Sequence, residues 1–310
     1  MTLWKHYHTP STLDEALALL ASYDGRARIV AGGTDLLLDI RHGHVPPQEA
    51  LIDVTCIDGL NTMRLDGDTL LIGAGVTHSQ IVGSDTLASR ATCLVESCGV
   101  VGGPQVRNVG TLGGNVAHAL PAGDGTTSLV ALDAEVEVVH QGERRWLPIG
   151  ELFLGPGVSL LDPTRDILVQ FRVRLCGPRE ATAFKRIMRP QGVALPILGC
   201  AAWLRLDEAS ERCEASERCE DARVCIGPVA KVPARATAVE EALRGAPVDE
   251  AAIERAVAAA RESLSPRTSK YRATAEYRQE MADVLLRRVL PLAAERARTG
   301  QAVPEGVGME

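Results

Sequence analysis

The chain is poor in aromatic residues: three Phe, three Trp and four Tyr in 310 positions. That leaves too few ring faces for a surface that stacks nucleic-acid bases. It is also short of positive charge, with 33 Lys and Arg against 40 Asp and Glu for a formal net charge of −7, the wrong sign for a protein whose main partner is a polyphosphate backbone. No run approaches the roughly 20 apolar residues that span a bilayer, and Met1-Thr2-Leu3-Trp4-Lys5-His6 lacks the apolar segment of an export signal. Membrane insertion is therefore not expected, and the cytoplasm is the expected location. The eight cysteines form no Cys-x-x-Cys and are scattered along the chain, so reduced thiols are expected rather than a disulfide framework. Gly-x-Gly-x-x-Gly, Gly-Lys-Ser/Thr and Gly-x-Ser-x-Gly are all absent, which removes support for the common nicotinamide fingerprint, the phosphate-binding P-loop and the hydrolase nucleophile elbow.

What remains is a globular composition, 45% apolar and 24% charged, long enough for two domains. Thr12-Leu13-Asp14-Glu15 reads as a capping box opening an amphipathic helix. Residues 28–31 read as a strand that runs through Gly32-Gly33 into a helix over 34–40. Strands are expected at 50–54 and 69–74, and helices at 79–87 and 89–98. Residues 99–115 hold six glycines, at 99, 102, 103, 110, 113 and 114, too many for a regular helix. Antiparallel strands are expected at 134–140, 145–148 and 167–175, a domain boundary at Gly177-Pro178, and strands at 199–207 and 221–229. Helices follow at 236–243, 249–263 and 274–297, and residues 298–310 read as a flexible tail. Glu208-Ala209-Ser210-Glu211-Arg212-Cys213 is repeated by residue type at 214–219, a tandem duplication in a hairpin loop. The spacing of Cys213, Cys219 and Cys225 matches no zinc or iron-sulfur pattern, and His6/His8 and His42/His44 lack a third ligand, so no metal site is expected.

Two glycine-centred segments carry chemistry. In Ala31-Gly32-Gly33-Thr34-Asp35 a strand ends in residues without a β-carbon and enters a helix, which aims backbone N–H groups at an anion. Gly110-Thr111-Leu112-Gly113-Gly114-Asn115 is followed by Pro121-Ala122-Gly123-Asp124. Each alone also fits a tight turn or a Gly-rich surface loop.

Together with Gln105-Val106-Arg107-Asn108, Phe184-Lys185-Arg186, Tyr271-Arg272-Ala273-Thr274-Ala275-Glu276-Tyr277-Arg278 and Leu285-Leu286-Arg287-Arg288, these segments resemble, in order and spacing, the FAD-binding medium subunit of molybdenum hydroxylases. This is the flavoprotein family of xanthine dehydrogenase and molybdenum carbon monoxide dehydrogenase, and the resemblance covers nearly the whole chain. It implies an α+β fold: a two-subdomain FAD-binding domain of the vanillyl-alcohol-oxidase type over 1–177, divided near 58. A smaller domain over 178–297, with a three-stranded antiparallel sheet and helices, would follow. The amides of Ala31, Gly32, Gly33, Thr34 and Asp35 would bind the FAD diphosphate, with Thr34 adding a hydroxyl. Gly110, Thr111, Gly113, Gly114 and Asn115 would close from the other side, and Asp124 would accept from a ribose hydroxyl. Val101 and Leu168 would pack on the isoalloxazine, and Lys185 would lie near it as a cation. His118 and Leu120 stand where the family more often has small polar residues, and His118 is kept among the cofactor-binding positions. No cysteine lies between 99 and 175, so the four-cysteine cluster insertion of the 4-hydroxybenzoyl-CoA reductase flavin subunit is missing.

The activity implied is electron transfer in a heterotrimeric oxidoreductase, with a dimer of heterotrimers as the implied larger assembly. Substrate is oxidised in a large molybdopterin-binding partner, electrons pass through [2Fe-2S] clusters of a small partner, and FAD hands them to an external acceptor. An autonomous FAD-dependent oxidase or dehydrogenase is the alternative, and a scaffold that has lost its flavin is a third reading. The choice of substrate belongs to the molybdenum subunit, and NAD, oxygen, a quinone or another protein is open as the acceptor.

Overall fold

The computed structural model describes residues 3–189, 195–207, 217–270 and 272–306. The chain opens with β1 (Trp4–His8), α1 (Leu13–Tyr23), β2 (Ala27–Val30), α2 (Leu36–His42) and β3 (Gln48–Asp53). The Thr12 hydroxyl accepts from the Glu15 amide at 3.2 Å, while the Glu15 carboxylate reaches back to the Ser11 amide at 2.8 Å. The expected cap therefore forms, shifted by one residue on its return bond. The three strands make a parallel sheet in the order β1-β3-β2.

A second block holds β4 (Met63–Asp66), β5 (Thr69–Gly73), α3 (His78–Val82), α4 (Asp85–Arg90), α5 (Thr92–Gly99), α6 (Pro104–Arg107), α7 (Leu112–Ala117) and α8 (Asp124–Ala131). It continues through β6 (Glu135–His140), β7 (Glu143–Pro148), β8 (Phe153–Gly155), β9 (Val158–Ser159) and β10 (Ile167–Arg174). Five of these strands form a sheet in the order β4-β5-β10-β6-β7, antiparallel throughout. The helix expected over 79–87 is two helices, because the Ser84 hydroxyl accepts from the Leu87 amide and starts a new one after Gly83. The Gly-rich stretch is not free of helix either: Pro104 and Thr111 each begin a short one, since both suit a first turn.

The third block is β11 (Glu180–Met188), β12 (Pro196–Leu206), β13 (Cys219–Gly227), α9 (Thr237–Leu243), α10 (Glu250–Ser263) and α11 (Ala275–Thr299). Its strands form an antiparallel sheet in sequence order. One face, including Ala183, Cys200 and Val224, is buried under α9–α11, while Phe184, Ala201 and Cys225 on the other join the core of the second block. The sheet is thus buried on both sides. The duplicated segment and Cys213 lie outside the described residues, apart from the final Glu217-Arg218-Cys219; Cys219 and Cys225 are buried free thiols, pushed up to about 12 by burial. Among the described residues no helix is long and apolar enough to cross a membrane.

The expected tail is held rather than loose as far as Glu305. Helix α11 runs to Thr299, the Val303 carbonyl accepts from Arg296 at 2.5 Å, and the Glu305 amide donates to Glu96 at 3.0 Å. Burial of Arg296 and Glu96, invisible in a Gly- and Pro-rich sequence, is what fixes the segment.

Candidate functional site

Strand β2 ends at Val30, and the chain turns through Ala31-Gly32-Gly33-Thr34-Asp35 into α2. Gly33 adopts φ +67°, a conformation that an L side chain resists. Gly32 meets another backbone: a β-carbon there would stand 2.0 Å from the Val109 carbonyl oxygen and 2.9 Å from the Gly110 Cα. The two glycine-centred segments therefore touch. Among the described residues the amides of Gly32, Gly33, Thr34 and Asp35 donate to no protein carbonyl. Four adjacent N–H groups without protein acceptors, on a turn that glycine keeps open, form a cradle for an oxyanion.

The second segment is organised differently. Its amides are mostly consumed within the protein: Leu112 donates to Val76, Gly113 to Ala74 and Asn115 to Thr111, each at 2.9 or 3.0 Å, and Gly114 to the Thr111 hydroxyl at 3.0 Å. A β-carbon on Gly113 would lie 2.5 Å from the Ala74 carbonyl oxygen, so this glycine serves packing against the end of β5 rather than approach to a ligand. At Gly114 a β-carbon would meet only the Thr111 hydroxyl, at 3.0 Å. Gly114 and His118 are four residues apart on α7 and its C-terminal cap, so they share one side of it, and Gly110 lies just before its N-terminal cap. At one end of that side Gly110 lies close to Thr34, and at the other His118 Nδ1 is 3.6 Å from Asp35 Oδ2. The His118 imidazole holds the Asp35 carboxyl below the ordinary range, and Asp35 in turn raises His118. Asn115 turns its carboxamide oxygen inward between Gly123 and Gly125, where it is buried without a partner.

Asp124 opens α8 and is buried; its Oδ2 accepts from Arg186 Nη1 at 2.8 Å, while Oδ1 is buried with no partner. Burial pushes its carboxyl up to about 7, against the pull of Arg186 and, less strongly, Arg272. One oxygen thus remains to accept from a ligand hydroxyl.

The other three expected positions are Lys185, Leu168 and Val101. Lys185 and Arg186 are neighbours on β11, and strand alternation sends them to opposite faces. Lys185 lies on the helix-covered side and pairs with Glu305, while Arg186 faces Asp124. The buried cation at the site is Arg186. Leu168 is buried in the core at a β-bulge of β10. Val101 is half-buried, and its carbonyl accepts from Arg107, which also caps Gly102.

One further group lies under the second segment. His78 is 2% exposed, its amide donates to the Gly110 carbonyl at 3.0 Å, and its Nδ1 has no partner. Burial, with Arg107 adding to it, pushes the ring down to about 4, so it is a neutral imidazole. The only sequence signal for His78 was a capping Thr77, and for Arg186 its place beside Lys185. Among the described residues no cluster of side chains could hold a metal ion.

Residues 3–174 match the family described as the FAD-binding domain in molybdopterin dehydrogenase, and residues 182–293 match the CO dehydrogenase flavoprotein C-terminal domain. The chain is 29% identical over 295 residues to the xanthine dehydrogenase FAD-binding subunit of Escherichia coli O157:H7, covering 94% of this chain and 96% of that one. It is 30% identical over 292 residues to the carbon monoxide dehydrogenase medium chain of Afipia carboxidovorans, covering 94% and 97%. A crystal structure of the Cu,Mo-CO dehydrogenase superposes with a TM-score of 0.85 at 29% identity, over 95% of this chain and 99% of that one. Quinoline 2-oxidoreductase from Pseudomonas putida 86 gives 0.83 at 27% identity, over 94% and 97%.

Proposed function

We proceed from the fact that this chain belongs to the family of FAD-binding subunits of molybdenum hydroxylases, and we propose that its turn at 31–35 holds the diphosphate of that FAD. The chain is an FAD-carrying electron-transfer subunit of an oxidoreductase that works with molybdopterin and iron-sulfur partners. We assign these to a heterotrimer, with the pterin in a large subunit and [2Fe-2S] clusters in a small one. We assign the parallel sheet and the five-stranded sheet to the two halves of a vanillyl-alcohol-oxidase-type flavin domain, with the turn where they meet.

The observation that carries the site is the contact of Gly32 with Val109 and Gly110, which closes the two segments on each other and leaves the amides of 32–35 unspent. Those amides would donate to phosphate oxygens, with the Thr34 hydroxyl beside them. Bound FAD supplies the capacity to take up electrons singly and release them as a pair. The free Oδ1 of Asp124 would accept from a sugar hydroxyl, and Arg186 holds that carboxyl group in place. Gly114 would leave the facing side of α7 low enough for the ligand to approach.

A substitution that spares the fold tests this. A β-carbon at 114 meets only the Thr111 hydroxyl that caps α7, so Gly114→Val should leave the circular dichroism of the apoprotein unchanged and cost no more than a helix cap, about 1 kcal/mol. Flavin per chain in the purified complex should fall by roughly tenfold or more, equivalent to about 1.4 kcal/mol. Full flavin content in this variant would contradict the site.

A further inference from the structure

One arginine-lined cavity takes no residue from the turn at 31–35. Between the Pro121-Ala122 segment and the third block lies a cavity of about 700 Å³, within the range that accepts small molecules. Its polar wall carries Arg189, Arg267, Thr268, Arg272 and Arg278, its apolar wall Pro121 and Ile197, and among the described residues no Asp or Glu lines it.

Arg278 is the unusual member. It is 2% exposed; its Nη1 donates to the Pro228 carbonyl at 3.1 Å, and its Nε is buried with no partner. A guanidinium does not shed its proton to escape burial, so the cost must be offset by acceptors or a counter-anion. None of the described ion pairs includes Arg267, Arg272 or Arg278, and the charges of Arg272 and Arg267 add to burial in disfavouring the Arg278 cation. The nearby carboxylate, Asp124, already gives one oxygen to Arg186. Among the described residues, the positive charge of Arg267, Arg272 and Arg278 therefore exceeds what nearby carboxylates neutralise. The Thr268 hydroxyl accepts from the Ala275 amide at 3.0 Å, which leaves its own proton available to a ligand.

We propose that this cavity is a second oxyanion site, which takes the phosphate-bearing end of a small molecule other than the flavin and packs its body against Pro121 and Ile197. Three guanidiniums suit a group of more than one negative charge, and their planar forks suit phosphate oxygens. The proposal rests on the reading that residues 31–35 hold the flavin diphosphate. The phosphate could otherwise belong to FAD itself, and the test separates these sources.

The probe is inorganic pyrophosphate, titrated calorimetrically into the flavin-loaded complex, with flavin per chain measured on every preparation. Wild type should bind saturably, and added salt should weaken the binding. Arg267→Gln and Arg272→Gln replace side chains at the cavity mouth, outside the buried core, and each should weaken binding roughly tenfold, the loss expected for a charge-assisted hydrogen bond, with flavin content unchanged. Binding that is absent in wild type, or equal in wild type and both variants, overturns the proposal while leaving the cradle at 31–35 intact. Loss of flavin in the arginine variants overturns it differently, by giving this cavity to the phosphates of FAD and removing them from 31–35.

Discussion

His118 and Asp35 tie the end of α7 to the start of α2, and each displaces the other's titration. The lowered carboxyl of Asp35 contributes stability that is complete above the ordinary carboxylate range and is lost as pH falls through its lowered value. The raised imidazole of His118 contributes in the opposite sense: fully below about 6.5, and progressively less as pH rises through its raised value. The tie is therefore strongest in weakly acidic solution. Both side chains are about a third exposed or more, so screening limits the pair to less than about 1 kcal/mol. Flavin should accordingly dissociate up to a few-fold faster in alkaline than in weakly acidic buffer, and His118→Asn should dissociate at the faster rate throughout. A wild-type rate independent of pH would show that this contact does not guard the cofactor. At this scale the sequence was legible where glycine was the message: Gly32 and Gly33 announce a turn that tolerates no β-carbon. It was illegible where the neighbour came from elsewhere in the chain. Lys185 and Arg186 are equivalent as text, and only the faces of β11 decide which cation meets Asp124.

Some elements were legible in the sequence and others were not, for physical reasons visible in particular cases. Helices α10 and α11 carry caps at Asp249 and Thr274 and one apolar stripe each, so their limits follow from local chemistry. Strand β11 has no such pattern, because Ala183 faces helices and Phe184 faces the second block, and burial on both sides erases the alternation. Its role is fixed by a contact no local rule foresees. Glu96 on α5 accepts from the Phe184 amide at 2.7 Å, from Arg296 on α11 at 2.7 Å and from the Glu305 amide, and Arg296 also donates to the Thr182 carbonyl at 2.9 Å. Both side chains are almost fully buried. Replacing one partner of such a pair strands the other's charge, at a cost of about 3–5 kcal/mol. Glu96→Gln should therefore lower the melting midpoint of the second and third blocks together, followed by circular dichroism and by release of fluorescent flavin. Separate transitions for the two, or an unchanged midpoint, would show that this pair does not join them.

At the scale of the whole molecule, the sheet of the third block lies between its own helices and the second block, so Arg186 can enter a site otherwise built before residue 125. The same apposition forms the arginine-lined cavity. The chain thus presents two separate collections of oxyanion donors, one of backbone amides and one of guanidiniums, and the account stands on assigning the flavin to the first. The most direct measurement is an experimental density map of the flavin-loaded complex. The account predicts both phosphorus groups of FAD at the turn, with phosphate oxygens about 3 Å from the amides of 32–35. Phosphates found instead against Arg267, Arg272 and Arg278, with those amides facing water, would contradict it.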